Sequence, residues 1–224
     1  MVPSLESPVI VDFPLHGERW VAVTTPATRV PSHGTDRLGL RYAYDLLQVD
    51  TRGAIHPSRS APLVGGRTRD YYGWNAPIHA PFDGVVVSVA DGMPERDHVR
   101  PVRETVRRFA NAATFTPDRI GSIMGNAVIL RAGTVYAGFA HLAPGSIEVR
   151  PGQPVSAGDV IGHLGHTGNS TSPHLHFQLM DSADLTVARG IPCAFRTFEI
   201  ERDGGWERVT NRVPDRRDRI RFAP

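Results

Sequence analysis

Apolar and polar positions alternate most clearly across residues 169–179. Leu175, Phe177 and Leu179 fall on one side of a strand, and His174 and His176 share the other. Two residues along a strand rise about 6.6 Å. At that separation one imidazole can hold a metal while the other acts on what the metal binds. The approach to this strand, residues 165–170, is rich in turn-tolerant residues, so a loop delivers the strand into an open site.

The same alternation predicts further strands along the chain. Residues 8–13 and 19–24 read as an N-terminal hairpin, and residues 41–49 as a strand that follows a polar loop at 25–39. Asp45 lies inside this last, otherwise apolar and aromatic run. Burying a carboxylate is costly unless it is paired or bound to a cation, so Asp45 demands a partner. A long loop spans 50–73, and Tyr71, Tyr72 and Trp74 at its end either line a groove or cover a core edge. Residues 76–90 predict two strands turning at Asp83-Gly84, a strong hairpin signal. Another hairpin spans 125–131 and 134–142, with Phe139 and His141 on one face. Short strands with glycine turns fill 145–162, and a last hairpin turns at 203–205.

Between 92 and 122 the period changes. Val99, Val102, Val106, Phe109 and Ala110 follow helical spacing, with Arg100, Arg103, Arg107 and Arg108 on the remaining surface, which predicts an inserted amphipathic helix packed on the sheet. The resulting division is an N-terminal hairpin (1–29), a main domain (30–213) interrupted by the helical insertion (92–122), and a charged, frayed tail (214–224).

Composition supports a mainly β fold: 22 glycines and 19 prolines are spread through 224 residues without a low-complexity block. The net charge of +2, with scattered arginines and few interleaved aromatics, argues against nucleic acid. Cys193 is the single cysteine, so there is no disulfide partner and no Cys-cluster metal site; it reads as a small buried hydrophobe. No stretch reaches the roughly 20 apolar residues of a membrane span. Residues 1–19 lack the features of a secretory signal, so the chain as written reads as cytoplasmic, or as wall-associated or extracellular if a leader was removed.

Four histidines and an aspartate, His33, Asp45, His141, His174 and His176, fall on strands or at their mouths. They sit within Ser32-His33-Gly34, Tyr42-Ala43-Tyr44-Asp45, Ala80–Val86, Gly125-Asn126, Ala140-His141-Leu142 and Gly165–Phe177. In this order the segments resemble the LytM and lysostaphin-like zinc metallopeptidases of family M23, over roughly residues 30–180. The resemblance implies antiparallel sheets in a duplicated-hybrid-motif β-sandwich and one zinc ion per chain held by His33, Asp45 and His176. It also implies that His141 and His174 are catalytic, and that the substrate is a short peptide of bacterial peptidoglycan, cross-bridge or stem. The donor set fits that chemistry, because two neutral imidazoles and a carboxylate leave a fourth position for water. His174 is then expected to take the water's proton, and His141 to stabilise the oxyanion. Eleven residues separate His33 from Asp45, where the best-known members have three, so the intervening loop must fold back, using Gly34 and Gly39.

His16, His56, His79 and His98 read as bystanders. His163 and His166 lie near the site in sequence, and His166 either touches substrate or is a loop histidine without a role. The rival function is a zinc-binding module of the same fold that regulates or adapts without cutting. A biotinyl- or lipoyl-type carrier is disfavoured because the turn near residues 152–162 has no lysine to modify.

Overall fold

The computed structural model describes residues 7–114 and 116–223. In chain order the elements are β1 (Val9–Val11), β2 (Trp20–Thr24), β3 (Tyr44–Gln48), α1 (Ala61–Val64), β4 (Gly66–Arg67), β5 (Pro77–His79), β6 (Gly84–Ala90), β7 (His98–Val99) and α2 (Pro101–Ala113). They continue with α3 (Ile120–Met124), β8 (Asn126–Ala132), β9 (Val135–Leu142), β10 (Pro154–Val155), β11 (Val160–His163) and β12 (Leu175–Met180). The last four are β13 (Gly190–Ile191), β14 (Cys193–Arg202), β15 (Gly205–Arg212) and β16 (Ile220–Phe222). The fold is mainly β.

Among the described residues, twelve strands form one sheet in the order β1-β14-β16-β2-β3-β12-β9-β8-β6-β10, with β13 on β12 and β15 on β14. The histidine strand β12 is therefore central, antiparallel to β3 on one side and β9 on the other. Its apolar side chains Leu175, Phe177 and Leu179 join Tyr44, Leu46 and Phe139 in the main core. The opposite side is left for chemistry.

Several pairings differ from the expectation of local hairpins. β1 runs parallel to β14 (Val9 opposite Cys193), and β2 pairs with β3 and β16, so the first two strands do not pair with each other. The cause lies in the link between them, where Phe13 and Leu15 are fully buried and draw the chain through the core in place of a turn. Asp83-Gly84 is likewise no hairpin: β5 pairs with β11, while β6 pairs with β8 and β10. Pro81 lacks the N–H that a continuing ladder would need. The hairpins β8–β9 and β14–β15 form as expected.

The tail is not frayed. β16 inserts between β14 and β2, and Ile220 and Asp218 are buried, the latter bonded to Arg202 and Arg212. The insertion also departs from expectation. α2 forms, but Val102, Val106 and Phe109 point to solvent while Glu104 is buried. Residues 1–6, Pro224 and the Arg108 side chain lie outside the described residues.

If the tail is a sheet strand, Ile220→Ala should cost about 2–5 kcal/mol, as for other fully buried aliphatic truncations. Urea unfolding checks this, and a change below about 0.5 kcal/mol, the range of a surface substitution, would return residues 214–223 to a loose tail.

Candidate metal centre and catalytic cleft

Asp45 on β3 lies directly opposite His176 on β12, which fixes one pair of side chains across the ladder. His33 arrives from the loop before β3. Leu38 and Gly39 take positive φ of 59° and 74°, and Gly34 takes 76°, so the eleven-residue excursion turns back on itself as its spacing requires. His33 Nε2 then lies 3.2 Å and His176 Nδ1 3.0 Å from Asp45 Oδ1, with the three candidate ligand atoms all within 4.8 Å of one another. Metal–ligand bonds of about 2.0–2.2 Å in a tetrahedron put neighbouring ligand atoms roughly 3.3 Å apart.

The outer hydrogen bonds decide what these atoms present. The Ser32 hydroxyl donates its one proton to the Ala43 carbonyl at 2.8 Å, so its oxygen accepts from His33 Nδ1–H at 3.1 Å. The Gln178 amide nitrogen donates to Leu38 O, which turns Oε1 toward His176 Nε2–H at 2.9 Å. Thr24 donates to the other carboxylate oxygen, Asp45 Oδ2, at 2.8 Å. Each inward atom, His33 Nε2, His176 Nδ1 and Asp45 Oδ1, is thus left as an acceptor. Three lone-pair atoms at contact distance repel unless a cation sits among them, so the donor set fits a divalent metal. Burial pushes the Asp45 carboxyl up, but the imidazoles of His33, His174 and His176 crowded around it outweigh that effect. The group is held well below the usual carboxylate range.

Strict alternation would leave His141 beside Phe139 in the core. A β-bulge intervenes: Asn126 pairs with Leu142 and Ala127 with Ala140, so His141 is the extra residue, at φ 68°. Phe139 stays in the core while His141 swings to the site, its ring centroid 4.8 Å from that of His174. His141 Nδ1–H donates to Thr167 O at 3.0 Å, and His174 Nδ1–H donates to Ser172 O at 2.7 Å. His174 Nε2 lies 3.5 Å from Asp45 Oδ1. Burial, then the neighbouring His174 and His176, holds His141 well below the usual imidazole range, so it is neutral.

These groups line a cleft of about 480 Å³, with Leu38 and Leu40 from the His33 loop, Ile123 and Met124 from the end of α3, and Thr171 near His174. The loop carrying His174 is fastened by the insertion. Arg96 donates to the carbonyls of Gly168 and Ser170, Arg107 donates to Gly168 O, and buried Glu104 accepts from Arg96 Nε. His166 neither touches the cleft nor lacks a role: it is fully buried, bonded to the Ser170 hydroxyl, which in turn lies 3.1 Å from His174 Nδ1. Burial, then the charge of Arg96, pushes His166 down to about 2.

The five residues singled out in the sequence therefore meet at one place. Tyr71 and Trp74 lie elsewhere; Tyr71 is buried and Trp74 bonds Glu95. Cys193 is buried and its thiol is pushed up to about 12 by burial, as suits an inert residue. Sequence reasoning gave no individual role to Ser32, Thr24, Gln178, Ser170 or Arg96. Only Ser32 and Gln178 carried a signal, each standing one or two residues from a ligand candidate.

Two measurements follow. Gln178→Leu should weaken divalent-cation binding by roughly 10–100-fold, as loss of an outer hydrogen bond does, when the stripped protein is titrated calorimetrically. An unchanged affinity would show that His176 is oriented by something else. Second, in the metal-free protein the unfolded chain takes up imidazole protons near pH 6.5 that folded His141 and His166 refuse. Stability should therefore fall as pH drops below about 6.5, by up to about 1.4 kcal/mol per pH unit for each group. Asp45, depressed in the fold, adds a loss only below about pH 3.9. Urea unfolding at stepped pH reads the slope, and His166→Asn should remove one proton from it.

The model of peptidase family M23 matches residues 71–187, just over half of the chain, a range that includes His141, His174 and His176 and begins after His33 and Asp45. An uncharacterised metalloprotease of Haemophilus influenzae is 32% identical over 165 residues, 72% of this chain and 30% of the relative. The peptidoglycan DD-endopeptidase ShyA of Vibrio cholerae is 44% identical over 57 residues, 25% of this chain and 13% of the relative. The chain thus spans under a third of the length of these curated relatives. The catalytic domain of lysostaphin from Staphylococcus simulans overlaps 56% of this chain and 79% of its own at 23% identity, with a TM-score of 0.34. The family match over more than half of the sequence, together with the metalloprotease relative, places the chain in peptidase family M23.

Proposed function

We propose that the protein is a zinc-dependent endopeptidase that cleaves short peptides of bacterial peptidoglycan. The observation that carries this reading is the convergence of His33 Nε2, Asp45 Oδ1 and His176 Nδ1 as three acceptors, each with its far side fixed by another residue. His33, Asp45 and His176 would hold the ion. When bound, a divalent cation there polarises a carbonyl and acidifies a water. Relatives named as peptidoglycan DD-endopeptidase, DD-carboxypeptidase/endopeptidase and glycyl-glycine endopeptidase support the substrate class.

The chain's own residues divide the proton work. His174 carries its proton on Nδ1, toward Ser172 O, so its Nε2 is the acceptor for a proton from water in the cleft. His141 also carries its proton away from the cleft, toward Thr167 O. A neutral His141 therefore accepts at Nε2, and it donates to an oxyanion only as the imidazolium. Burial opposes that form, and the Asp45 carboxylate favours it. Leu38, Leu40, Ile123 and Met124 give the cleft apolar surface that excludes water around the reacting atoms.

Purified sacculi and synthetic stem and glycine-bridge peptides test the reading. Chelation should abolish hydrolysis and zinc should restore it. His174→Ala should lower kcat by about 10²–10⁴-fold, the contribution of a positioned acid–base group, while one zinc per chain is retained. Hydrolysis that persists after chelation or in His176→Ala would sink the assignment. Stable zinc without turnover on any of these substrates would assign the chain to a non-hydrolytic role.

A further inference from the structure

Five large apolar side chains stand together in solvent on the outer side of the insertion. Leu63 and Val64 on α1, and Val102, Val106 and Phe109 on α2, are between 63 and 80% exposed. The α2 positions are spaced by four and three residues and form one stripe. α1 adjoins its start, since Leu63, Val64, Arg100 and Val102 line one shallow groove. A contiguous exposed apolar face of this kind marks a surface that something covers.

The helix cannot hide this face by rolling inward. Its inner side is taken by Glu104, Arg107 and Asn111, which hold Arg96, Gly168 O and Asn169 Oδ1 respectively. Burying Phe109 would pull a paired carboxylate and two loop contacts apart. The apolar stripe is thus held outward by the same residues that fasten the His174 loop.

The charge around the stripe indicates what covers it. Arg100 and Arg103 are exposed on or beside the stripe, and Arg59 and Arg67 flank α1 in the chain; none of the four has a hydrogen bond or ion pair to a described side chain. From Thr51 to Arg69 and from His98 to Thr114 there is a single acid, Glu104, and it is buried. A second copy docking isologously would set arginine against arginine, which like charge disfavours. An anionic bilayer surface meets both features: arginines at phosphate level, and Phe, Leu and Val at the acyl boundary. No helix among the described residues is long and apolar enough to cross a membrane.

We propose that the α1–α2 face is a docking surface for anionic phospholipid. The proposal is independent of the peptidase reading, because lipid docking requires neither metal nor turnover.

Flotation of the full chain with vesicles tests it. Binding is expected to vesicles containing phosphatidylglycerol and to be at least about tenfold weaker to phosphatidylcholine alone or in high salt. V106S/F109S removes exposed apolar surface only, so its unfolding midpoint should hold while vesicle binding drops by about tenfold or more. R100S/R103S should weaken binding to phosphatidylglycerol vesicles by a similar factor. Binding should survive both chelation and His176→Ala, which separates its failure from failure of the enzymatic reading. Three outcomes overturn it: no binding by the unmodified chain, unchanged binding by V106S/F109S, or a concentration-dependent dimer that V106S/F109S abolishes.

Discussion

One carboxylate oxygen, Asp45 Oδ1, has three imidazole nitrogens within 3.5 Å. Such crowding is tolerable only when protons or a cation stand between the lone pairs, and the surrounding bonds place the imidazole protons on the far side of each ring. The rest of the site can be understood as support for this one demand. β3 and β12 are adjacent so that Asp45 and His176 face one another. The His33 loop turns back through left-handed residues to bring in the third group, and Gln178 ties that loop to His176 through Leu38 O. Gly39 belongs to the same arrangement, since a Cβ there would come within 2.7 Å of the Gln178 amide.

The scaffold separates stability from chemistry by sheet face. β12 contributes Leu175, Phe177 and Leu179 to the core and His176 and Gln178 to the other side, and these five side chains are all nearly inaccessible to water. Precise placement of imidazoles requires such rigidity, because a central strand with neighbours on both edges has little freedom to shift. The bulge at His141 adds the one placement that regular pleating forbids.

Much of the site was legible because its signals are local. The His-x-His spacing, an aspartate within an apolar run, and a histidine after a polar Ser-His-Gly loop can each be read from adjacent residues. Pairing was less legible. Nearest-neighbour hairpins were expected for residues 8–24 and 76–90, but burial of Phe13 and Leu15 and the missing N–H of Pro81 favoured distant partners. The face of His141 was misjudged because one extra residue in a ladder leaves no mark in composition. The helix period of α2 was correct and its orientation was not. Carbonyls of the 168–170 loop required donors from the insertion, and that requirement is visible only once the loop lies beneath it.

The clamp formed by Arg96, Arg107 and Glu104 changes how residues 92–122 should be regarded. A segment that interrupts a β domain invites excision when a minimal version is wanted. Here the excised piece would take with it the guanidinium groups that satisfy Gly168 O and Ser170 O, stranding bare peptide oxygens in the loop that leads to His174. What looks like an ornament on the outside of the sheet serves as the clasp of the loop that carries His174.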